Sequence, residues 1–332
     1  MVQRRAGRVV SAQPTVVVAD NDPPFFSGLE DPALGPLRGL GEVVVHSPRS
    51  RDRSEFLGRI APATALIYLR RPWPLDEDAF AAAPNLQIVS FPGVGVDRID
   101  LDAARRHRVT VSNLPGANAA AVAEHTIGLL FAVARQIPAA DASMRDGRWQ
   151  KREGVELAGR TLGVLGLGAI GSRVAALGLA LGMNVLAWSF TEDGARAARL
   201  GVELVARDEL FRRSDVLAIH LRLTPQSAGL VGADQLRLLR PGAILLNTAR
   251  AAIIDQPALL EALSSGRLAG FGTDVFPDEP ADLENNPYLK FDNVVMTPHL
   301  ADETLETNAR LRQLVVENVT AYYAGRPQNV VT

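Results

Sequence analysis

An arginine, a carboxylate and a histidine follow three successive segments that are typical of buried β-strands. Arg250 comes shortly after the run AILLN, Glu279 after the run AGFGTD, and His299 after the run NVVMT. Because the carboxyl ends of parallel strands meet at one edge of a sheet, we expect the three side chains to lie close together. A histidine paired with a glutamate can exchange a proton with an alcohol or carbonyl oxygen, and an arginine can bind a carboxylate through two hydrogen bonds. The three residues therefore predict carbonyl–alcohol chemistry on a small acid.

The other histidines of the chain are weaker candidates for proton transfer. His220 also ends a predicted strand, but no carboxylate follows it closely, and a catalytic histidine needs a partner that orients it. His125 lies in a long apolar segment, so we expect it to be a packed or interface residue. We therefore assign the acid/base role to His299. The alternative roles are phosphate binding or helix capping for Arg250, and a solvated loop position for Glu279.

A glycine motif predicts a dinucleotide-binding site. The segment GLGAIG begins at Gly166, follows an apolar run and opens a segment with helical spacing. Gly166 permits a tight turn, Gly168 lets the backbone approach a pyrophosphate, and Gly171 lets the helix pack closely on the strand. The backbone N–H groups of Ala169 and Ile170 would then point at the phosphates from the helix N-terminus. The alternative is a glycine-rich turn that serves packing alone.

The residue that ends the next predicted strand bears on the choice of cofactor. An acidic residue there would bind the ribose hydroxyls of NAD and repel the 2′-phosphate of NADP, but the chain has Ser189. The first basic residue after it is Arg196, and Glu192 and Asp193 lie between them. The sequence therefore permits both cofactors, and we favour NAD without excluding NADP.

Predicted strands alternate with predicted helices through most of the chain, which is typical of α/β folds with parallel sheets covered on both faces. A long apolar helix is expected from Ala119 to Gln136, ended by Pro138, and a last helix from Glu303 to Tyr323. The strands form two series, at residues 15–20, 42–45, 64–68 and 86–90, and then at 161–166, 184–188, 215–220, 243–247, 269–274 and 293–297.

Composition excludes several classes of function. The chain has 332 residues, which suggests two domains, and its net charge of −2 does not favour nucleic acid or an anionic membrane as partner. It contains no cysteine, so we expect a reducing, cytoplasmic location and assign no metal site. No apolar run reaches the length of a membrane span. We interpret residues 1–14 as a frayed tail, although their arginines also fit a transit peptide.

Seven ordered motifs between Leu86 and Arg326 resemble those of the D-isomer-specific 2-hydroxyacid dehydrogenases, which include phosphoglycerate dehydrogenase and glyoxylate/hydroxypyruvate reductases. Besides the glycine motif, they are Gly93-Val94-Gly95-Val96-Asp97, Val122-Ala123-Glu124-His125, Leu223-Thr224-Pro225, Asn247-Thr248-Ala249-Arg250, Asp274-Val275-Phe276 and Thr297-Pro298-His299.

The resemblance implies roles for individual residues. Arg250, Glu279 and His299 match the family's catalytic residues, and Val94 and Gly95 match the loop whose backbone N–H groups hold the substrate carboxylate. The implied cofactor contacts are Gly166, Gly168, Ala169, Ile170, Gly171, Ser189, Thr224, Ala249 and Asp274, of which Asp274 holds the nicotinamide carboxamide.

The resemblance also implies a domain organisation. A flavodoxin-like substrate domain would comprise residues 1–115 and 300–332, because the family's last helix returns to the first domain. A Rossmann-like dinucleotide-binding domain would comprise residues 116–299 and include the helix through which the family forms homodimers. The substrate would bind in the cleft between the domains, and hinge closure would exclude water.

Some residues depart from the family's pattern and bear on the substrate. Ala251 replaces a usual glycine, and Ala301 and Asp302 stand where small residues usually follow the histidine. Asp302 could raise the pKa of His299 or repel an anionic substrate. Phe91 would favour an apolar substrate side chain. Phosphoglycerate is not expected, because we find neither an added basic cluster nor a C-terminal regulatory domain.

The sequence therefore predicts an NAD(P)-dependent oxidoreductase that interconverts a small 2-keto acid and its D-2-hydroxy acid. Two alternatives remain. One is a nucleotide-sensing binding protein similar to the corepressors that resemble this family, and the other is a dehydrogenase of formate or another small anion.

Overall fold

Two parallel sheets organise the chain. The computed structural model describes residues 13–69 and 73–332, so most of the tail expected at residues 1–14 lies outside the described part. Contacts divide the described chain into one unit that ends at Ala117 and resumes at Leu305, and a second unit that spans Asn118–Thr304. The expected boundaries followed residues 115 and 299. Residues 300–302 lie in the second unit because the backbone N–H groups of Leu300 and Ala301 donate to Asp274.

The first unit contains a five-stranded parallel sheet in the order β2-β1-β3-β4-β5, which is the flavodoxin-like order. Most of its helices begin at an aspartate whose carboxylate accepts backbone N–H groups of the first turn. The elements are β1 (Thr15–Val18), α1 (Gly35–Arg38), β2 (Glu42–Val45), α2 (Arg53–Ile60), β3 (Ala65–Ile67), α3 (Glu77–Ala82), β4 (Ile88–Ser90), α4 (Leu101–Arg106) and β5 (Thr110–Ser112).

The second unit contains a seven-stranded parallel sheet in the order β12-β11-β10-β9-β6-β7-β8. The order reverses between β6 and β9, which is where doubly wound sheets bind dinucleotides. The elements are α5 (Ala119–Ala134), α6 (Ile137–Arg145), β6 (Thr161–Leu165), α7 (Ala169–Ala180), β7 (Asn184–Trp188), α8 (Gly194–Leu200), β8 (Glu203–Leu204), α9 (Arg207–Arg213), β9 (Val216–Ile219), α10 (Ala233–Leu238), β10 (Ala243–Asn247), α11 (Gln256–Ser264), β11 (Leu268–Thr273) and β12 (Val294–Met296).

Each sheet is buried on both faces. In β1, Val17 packs into one core and Val16 and Val18 pack into the other. In β6, Leu165 and Val164 likewise belong to different cores. Because side chains alternate along a strand, a continuous apolar run is what two covered faces require. The predicted fold class, two α/β parallel-sheet domains, is confirmed.

The last helix, α12 (Leu305–Tyr323), belongs to the first unit. It buries Leu311, Val315 and Val319 in the core beneath β1 and β3, and the Ser90 hydroxyl of β4 donates to the Val315 carbonyl at 2.9 Å. None of the helices in the described chain is long and apolar enough to span a membrane.

The apolar helix after Asn118 ends earlier than its composition predicts. Helix α5 stops at Ala134, and Gln136 then adopts a positive φ of 51°. Pro138 does not end this helix as expected, because it lies in the first turn of α6. Proline is tolerated there, since the first N–H groups of a helix have no intrahelical acceptor.

Candidate active site

The glycine motif forms the turn between β6 and α7. Gly166 has a φ of 108°, and a Cβ there would lie 2.7 Å from the carbonyl oxygen of His220. A Cβ on Gly171 would lie 2.0 Å from the carbonyl oxygen of Gly166. A Cβ on Gly168 would meet nothing within 4 Å. The first and last glycines are therefore required by close backbone packing, whereas the middle one leaves open space at the loop.

The N-terminus of α7 fits a pyrophosphate. Gly168 is the N-cap residue, and within the described chain no side-chain cap accepts the N–H groups of the first turn, which begins at Ala169 and Ile170. Unpaired N–H groups and the helix dipole favour an anion at such a position. The loop thus has both the room and the donors that a dinucleotide pyrophosphate needs.

Ser189 lies beside this loop, immediately after β7. Its Oγ accepts the backbone N–H of Leu167 at 2.6 Å, so the end of β7 is attached to the glycine turn. Two further expected cofactor contacts, Thr224 and Ala249, follow neighbouring strands. Thr224, after β9, is exposed, and Ala249, after β10, donates its N–H to Asn247 Oδ1 at 3.0 Å.

His299 and Glu279 are in direct contact. His299 Nδ1 lies 2.6 Å from Glu279 Oε2, and Glu279 Oε1 accepts the backbone N–H of Phe276 at 3.1 Å. The side chains of His299 and Glu279 are 26% and 34% exposed, so the pair remains open to a ligand. This arrangement fits an acid/base histidine that is oriented by a carboxylate.

Arg250 follows β10, which pairs with β11, and β11 in turn pairs with β12. The buried Asn247 shapes this turn, because its amide Nδ2 donates to the Arg250 carbonyl at 2.9 Å. Arg250 Nη1 donates to the Ala249 carbonyl at 2.7 Å. Its main chain is thus held at the same sheet edge from which the Glu279 and His299 segments emerge.

Asp274 has contacts that sequence reasoning did not anticipate. Its buried carboxylate accepts the Thr297 hydroxyl at 2.6 Å and the backbone N–H groups of Leu300 and Ala301 at 2.9 and 2.8 Å. His125 Nε2 lies 2.9 Å from the Thr297 hydroxyl, so it joins the same network. Asp274 therefore binds the backbone just beyond His299. The sequence marked Asp274 only through the motif Asp274-Val275-Phe276, and that motif does not indicate these hydrogen-bond partners.

His220 has a different environment from His299. Its Nε2 is buried without a hydrogen-bond partner among the described residues. Burial lowers the pKa of His220 to about 3, so its imidazole stays neutral near pH 7. Nothing in the described chain groups three histidine or acidic side chains in a way that could hold a metal ion.

In the first unit, Val94 and Gly95 follow β4 and are partly buried. The Val94 carbonyl accepts the Asn113 side-chain amide at 2.8 Å, which holds the loop to the end of β5. Phe91 is only 3% exposed and belongs to the core. The expectation that Phe91 contacts a substrate side chain is therefore wrong, because its ring packs beneath Gly93, where a Cβ would lie 2.7 Å from it.

Comparison with known proteins gives relatives over most of this chain. The family model "D-isomer specific 2-hydroxyacid dehydrogenase, NAD binding domain" matches residues 127–301. A D-3-phosphoglycerate dehydrogenase of Archaeoglobus fulgidus is 39% identical over 302 residues, which are 90% of this chain and 56% of that protein. A glyoxylate reductase of Aeropyrum pernix is 41% identical over 267 residues, which are 77% of this chain and 79% of the reductase.

Among solved structures, an acyclic imino acid reductase in complex with NADPH and D-Arg superposes with a TM-score of 0.85 at 26% identity, covering 96% of this chain and all of the reductase. The chain spans just over half the length of the phosphoglycerate dehydrogenase and most of the length of the two reductases. The resemblance found in the sequence is confirmed: the chain belongs to the D-isomer-specific 2-hydroxyacid dehydrogenases, a family of NAD-dependent oxidoreductases.

Proposed function

We propose that the protein reduces a small 2-keto acid to the D-2-hydroxy acid with NAD(P)H, or catalyses the reverse oxidation. The observation that supports this most directly is the 2.6 Å contact between His299 Nδ1 and Glu279 Oε2 at the carboxyl edge of the seven-stranded sheet. A histidine held in this way has one nitrogen on its partner and the other available to a substrate oxygen.

A nicotinamide cofactor, when bound, would supply the hydride in reduction and accept it in oxidation. His299 Nε2 gives a proton to the alkoxide oxygen as it forms, or removes the hydroxyl proton in the reverse direction. Glu279 stabilises the charged imidazolium and holds the ring in the productive tautomer. One keto acid, one hydride and one proton thus yield one hydroxy acid.

Arg250 and the loop of the first unit bind the acid. The Arg250 guanidinium binds the substrate carboxylate and polarises the adjacent carbonyl. The backbone N–H groups of Val94 and Gly95 hold the carboxylate. The relatives act on glyoxylate and phosphoglycerate by name, and we favour a small acid of the glyoxylate or hydroxypyruvate type. We further propose that the protein is a homodimer, whereas its cytoplasmic location stays a prediction.

The first test measures nicotinamide oxidation by the purified protein with NADH and NADPH in parallel. The substrates are glyoxylate, hydroxypyruvate, pyruvate, phenylpyruvate and a branched 2-keto acid. We expect turnover on at least one acid and a loss of about 10²- to 10⁴-fold in His299→Gln, with cofactor binding retained. The matched control is His107→Gln, because His107 Nε2 lies 2.6 Å from Glu77 Oε1 in the first unit and makes the same kind of pair.

Other outcomes would contradict the proposal in defined ways. Undiminished turnover in His299→Gln would remove the acid/base assignment. Tight cofactor binding without turnover on any acid would favour a nucleotide-sensing protein similar to corepressors. A second assay supplies formate with NAD⁺ or NADP⁺, and oxidation of formate without any keto-acid reduction would favour the small-anion dehydrogenase.

A further inference from the structure

Thr297 lies just after β12 and two positions before His299, in the turn that presents the His299 ring. Its Oγ1 has two side-chain partners among the described residues, Asp274 Oδ1 at 2.6 Å and His125 Nε2 at 2.9 Å. A threonine hydroxyl has a single hydrogen, so it cannot donate to both partners. The directions of the two hydrogen bonds are therefore coupled, and the partner that cannot donate receives the hydrogen.

The Asp274 carboxylate is the partner that cannot donate. Its Oδ1 accepts the backbone N–H of Leu300 at 2.9 Å, and its Oδ2 accepts that of Ala301 at 2.8 Å. Asp274 is only 1% exposed, and an ionised carboxylate buried this deeply needs several donors around it. The 2.6 Å contact with Thr297 also has the length of an O–H···O⁻ hydrogen bond. The Thr297 hydroxyl thus donates to Asp274.

His125 then has to be the donor in its contact with Thr297. The hydrogen of Thr297 Oγ1 points at Asp274, so a second hydrogen bond forms only if His125 Nε2 carries a hydrogen of its own. Asp274 Oδ1 lies 3.8 Å from His125 Nε2, and its negative charge favours an N–H over a lone pair on that nitrogen. The surrounding hydrogen bonds therefore assign the Nε2–H form to the ring.

These hydrogen bonds enclose the His299 backbone. Thr297 precedes His299, and Leu300 and Ala301 follow it, so Asp274 holds the turn on both sides. His299 has a φ of 52°, and its N–H donates to the Thr297 carbonyl at 3.0 Å. A residue other than glycine in this region costs free energy, and the conformation persists only where the surroundings hold it. His125 joins this set from helix α5.

We propose that His125 is a positioning residue: its Nε2–H donates to Thr297, directs the Thr297 hydroxyl to Asp274, and so holds the turn that presents His299. The inference rests on the proposed function, because proton transfer by His299 is part of that function. It assigns a polar role to a histidine whose apolar segment indicated packing or an interface. Without this donor the Thr297 hydroxyl is no longer directed, and the His299 ring is held less firmly.

The first test reads the tautomer of His125 by NMR, in the full-length protein without cofactor or substrate. The chain has five histidines, so a sample labelled with ¹⁵N-histidine gives few ring signals, and His125→Gln identifies the one that disappears. We expect the ¹⁵N shifts of that ring to show a protonated Nε2. An unprotonated Nε2 would overturn the inference, because His125 would then accept a hydrogen from Thr297.

The second test separates the N–H donor from packing. Glutamine at position 125 can place an N–H group about where Nε2 lies, whereas phenylalanine keeps a ring and removes the donor. We expect kcat to fall about tenfold in His125→Phe and less than about threefold in His125→Gln, with cofactor dissociation constants unchanged in both. Hydrogen exchange at Leu300 and Ala301, read by mass spectrometry, should quicken in His125→Phe alone. The matched control is His107→Phe, which removes the histidine of the pair with Glu77 and should leave every readout unchanged.

Thr297→Val removes the hydroxyl at similar volume and completes a double-mutant cycle. Adding His125→Phe to it should lower kcat no further, because both changes break the same chain of hydrogen bonds. Equal losses in His125→Gln and His125→Phe, or additive losses in the double variant, would show that His125 only packs. A wild-type protein without turnover on any keto acid would contradict the proposed function, whereas the tautomer and the exchange rates would still decide this inference.

Discussion

One carboxylate oxygen of Glu279 contacts the His299 ring, and the other accepts a backbone N–H from the loop that carries Glu279. Oε2 lies 2.6 Å from His299 Nδ1, and Oε1 accepts the Phe276 N–H at 3.1 Å. His299 itself has a φ of 52°, in the left-handed region that few residues other than glycine adopt. The ring is thus positioned by an uncommon backbone conformation and by a carboxylate that is itself anchored.

Glu279→Gln tests whether the charge of this carboxylate matters beyond its position. The amide keeps one acceptor oxygen, which can still accept the Phe276 N–H, but its NH₂ group would face His299 Nδ1 and cannot stabilise an imidazolium. We therefore expect kcat to fall by about 10²-fold while the dissociation constant of the cofactor stays unchanged. Steady-state kinetics and fluorescence titration measure the two quantities. Glu77→Gln, which alters the other histidine–glutamate pair, should leave both unchanged. An unaltered kcat in Glu279→Gln would mean that the charge of Glu279 has no role in turnover and that the residue only stabilises its loop.

Asp274→Asn tests the network behind the histidine. An asparagine directs an NH₂ group at the N–H of Leu300 or Ala301, so one of these donors loses its acceptor. We expect a loss of about 1–3 kcal/mol in unfolding free energy, a lower kcat, and faster hydrogen exchange at both amides, read by mass spectrometry. The exposed Asp292→Asn is the control. If exchange is unchanged and only cofactor binding weakens, Asp274 serves the carboxamide and not the loop.

Sequence patterns predicted the parts of this site that depend on local geometry. The glycine turn follows from the steric needs of one short segment, and Gly166 and Gly171 meet those needs as expected. Strand ends such as those before Arg250 and His299 were also predictable, because buried parallel strands are continuous apolar runs.

Contacts between residues far apart in the sequence left no pattern to detect. The His125–Thr297 hydrogen bond joins α5 to the segment after β12, and the Arg196–Leu167 bond joins α8 to the glycine turn. Neither contact alters a hydrophobic period or a turn signal, and both depend on how strands and helices are arranged in three dimensions. Helix α6 was missed because Pro138 was interpreted as a stop signal, although proline also suits a first turn.

Asp302→Asn tests whether the charge of Asp302, three residues after His299, selects substrates. Asp302 Oδ2 accepts the Asn118 amide at 2.9 Å, and Asn118 Oδ1 is buried without a partner among the described residues. Removing the charge should raise kcat/KM about threefold for a keto acid with a second carboxylate, relative to glyoxylate, because repulsion is relieved. The ratio of the two kcat/KM values is the measurement, with Asp292→Asn as control. An unchanged ratio would mean that the substrate does not sense Asp302.

Trp149→Glu tests the proposed homodimer. Trp149 is 80% exposed, and Ile137 and Met144 on the preceding helix are 52% and 53% exposed. Exposed large apolar side chains often mark an interface, so a charge at Trp149 should convert dimers to monomers. Light scattering after size-exclusion chromatography measures the mass. Leu283→Glu, at a leucine that is 79% exposed elsewhere in the same unit, is the matched control. A dimer that persists in Trp149→Glu would place the interface on another surface.

We expect His220 to lower the unfolding free energy of the protein in acid. Burial lowers its folded-state pKa to about 3 from an ordinary 6.5, so the unfolded chain binds more protons between these values. Stability therefore falls as pH drops below 6.5, and His220 contributes at most about 1.4 kcal/mol per pH unit to that fall. His220→Phe removes this component, so the unfolding free energy of the variant relative to wild type should rise by up to about 2 kcal/mol between pH 7 and pH 5.

Urea unfolding at several pH values measures this difference. The two proteins have the same carboxylates, so we expect the contributions of these groups to cancel in the comparison. His107→Gln is the control, because the ring of His107 pairs with Glu77, whereas His220 Nε2 is buried without a partner among the described residues. A difference between His220→Phe and wild type that stays constant from pH 7 to pH 5 would mean that His220 accepts a proton in the folded protein. Its Nε2 would then have a partner or solvent access that offsets burial.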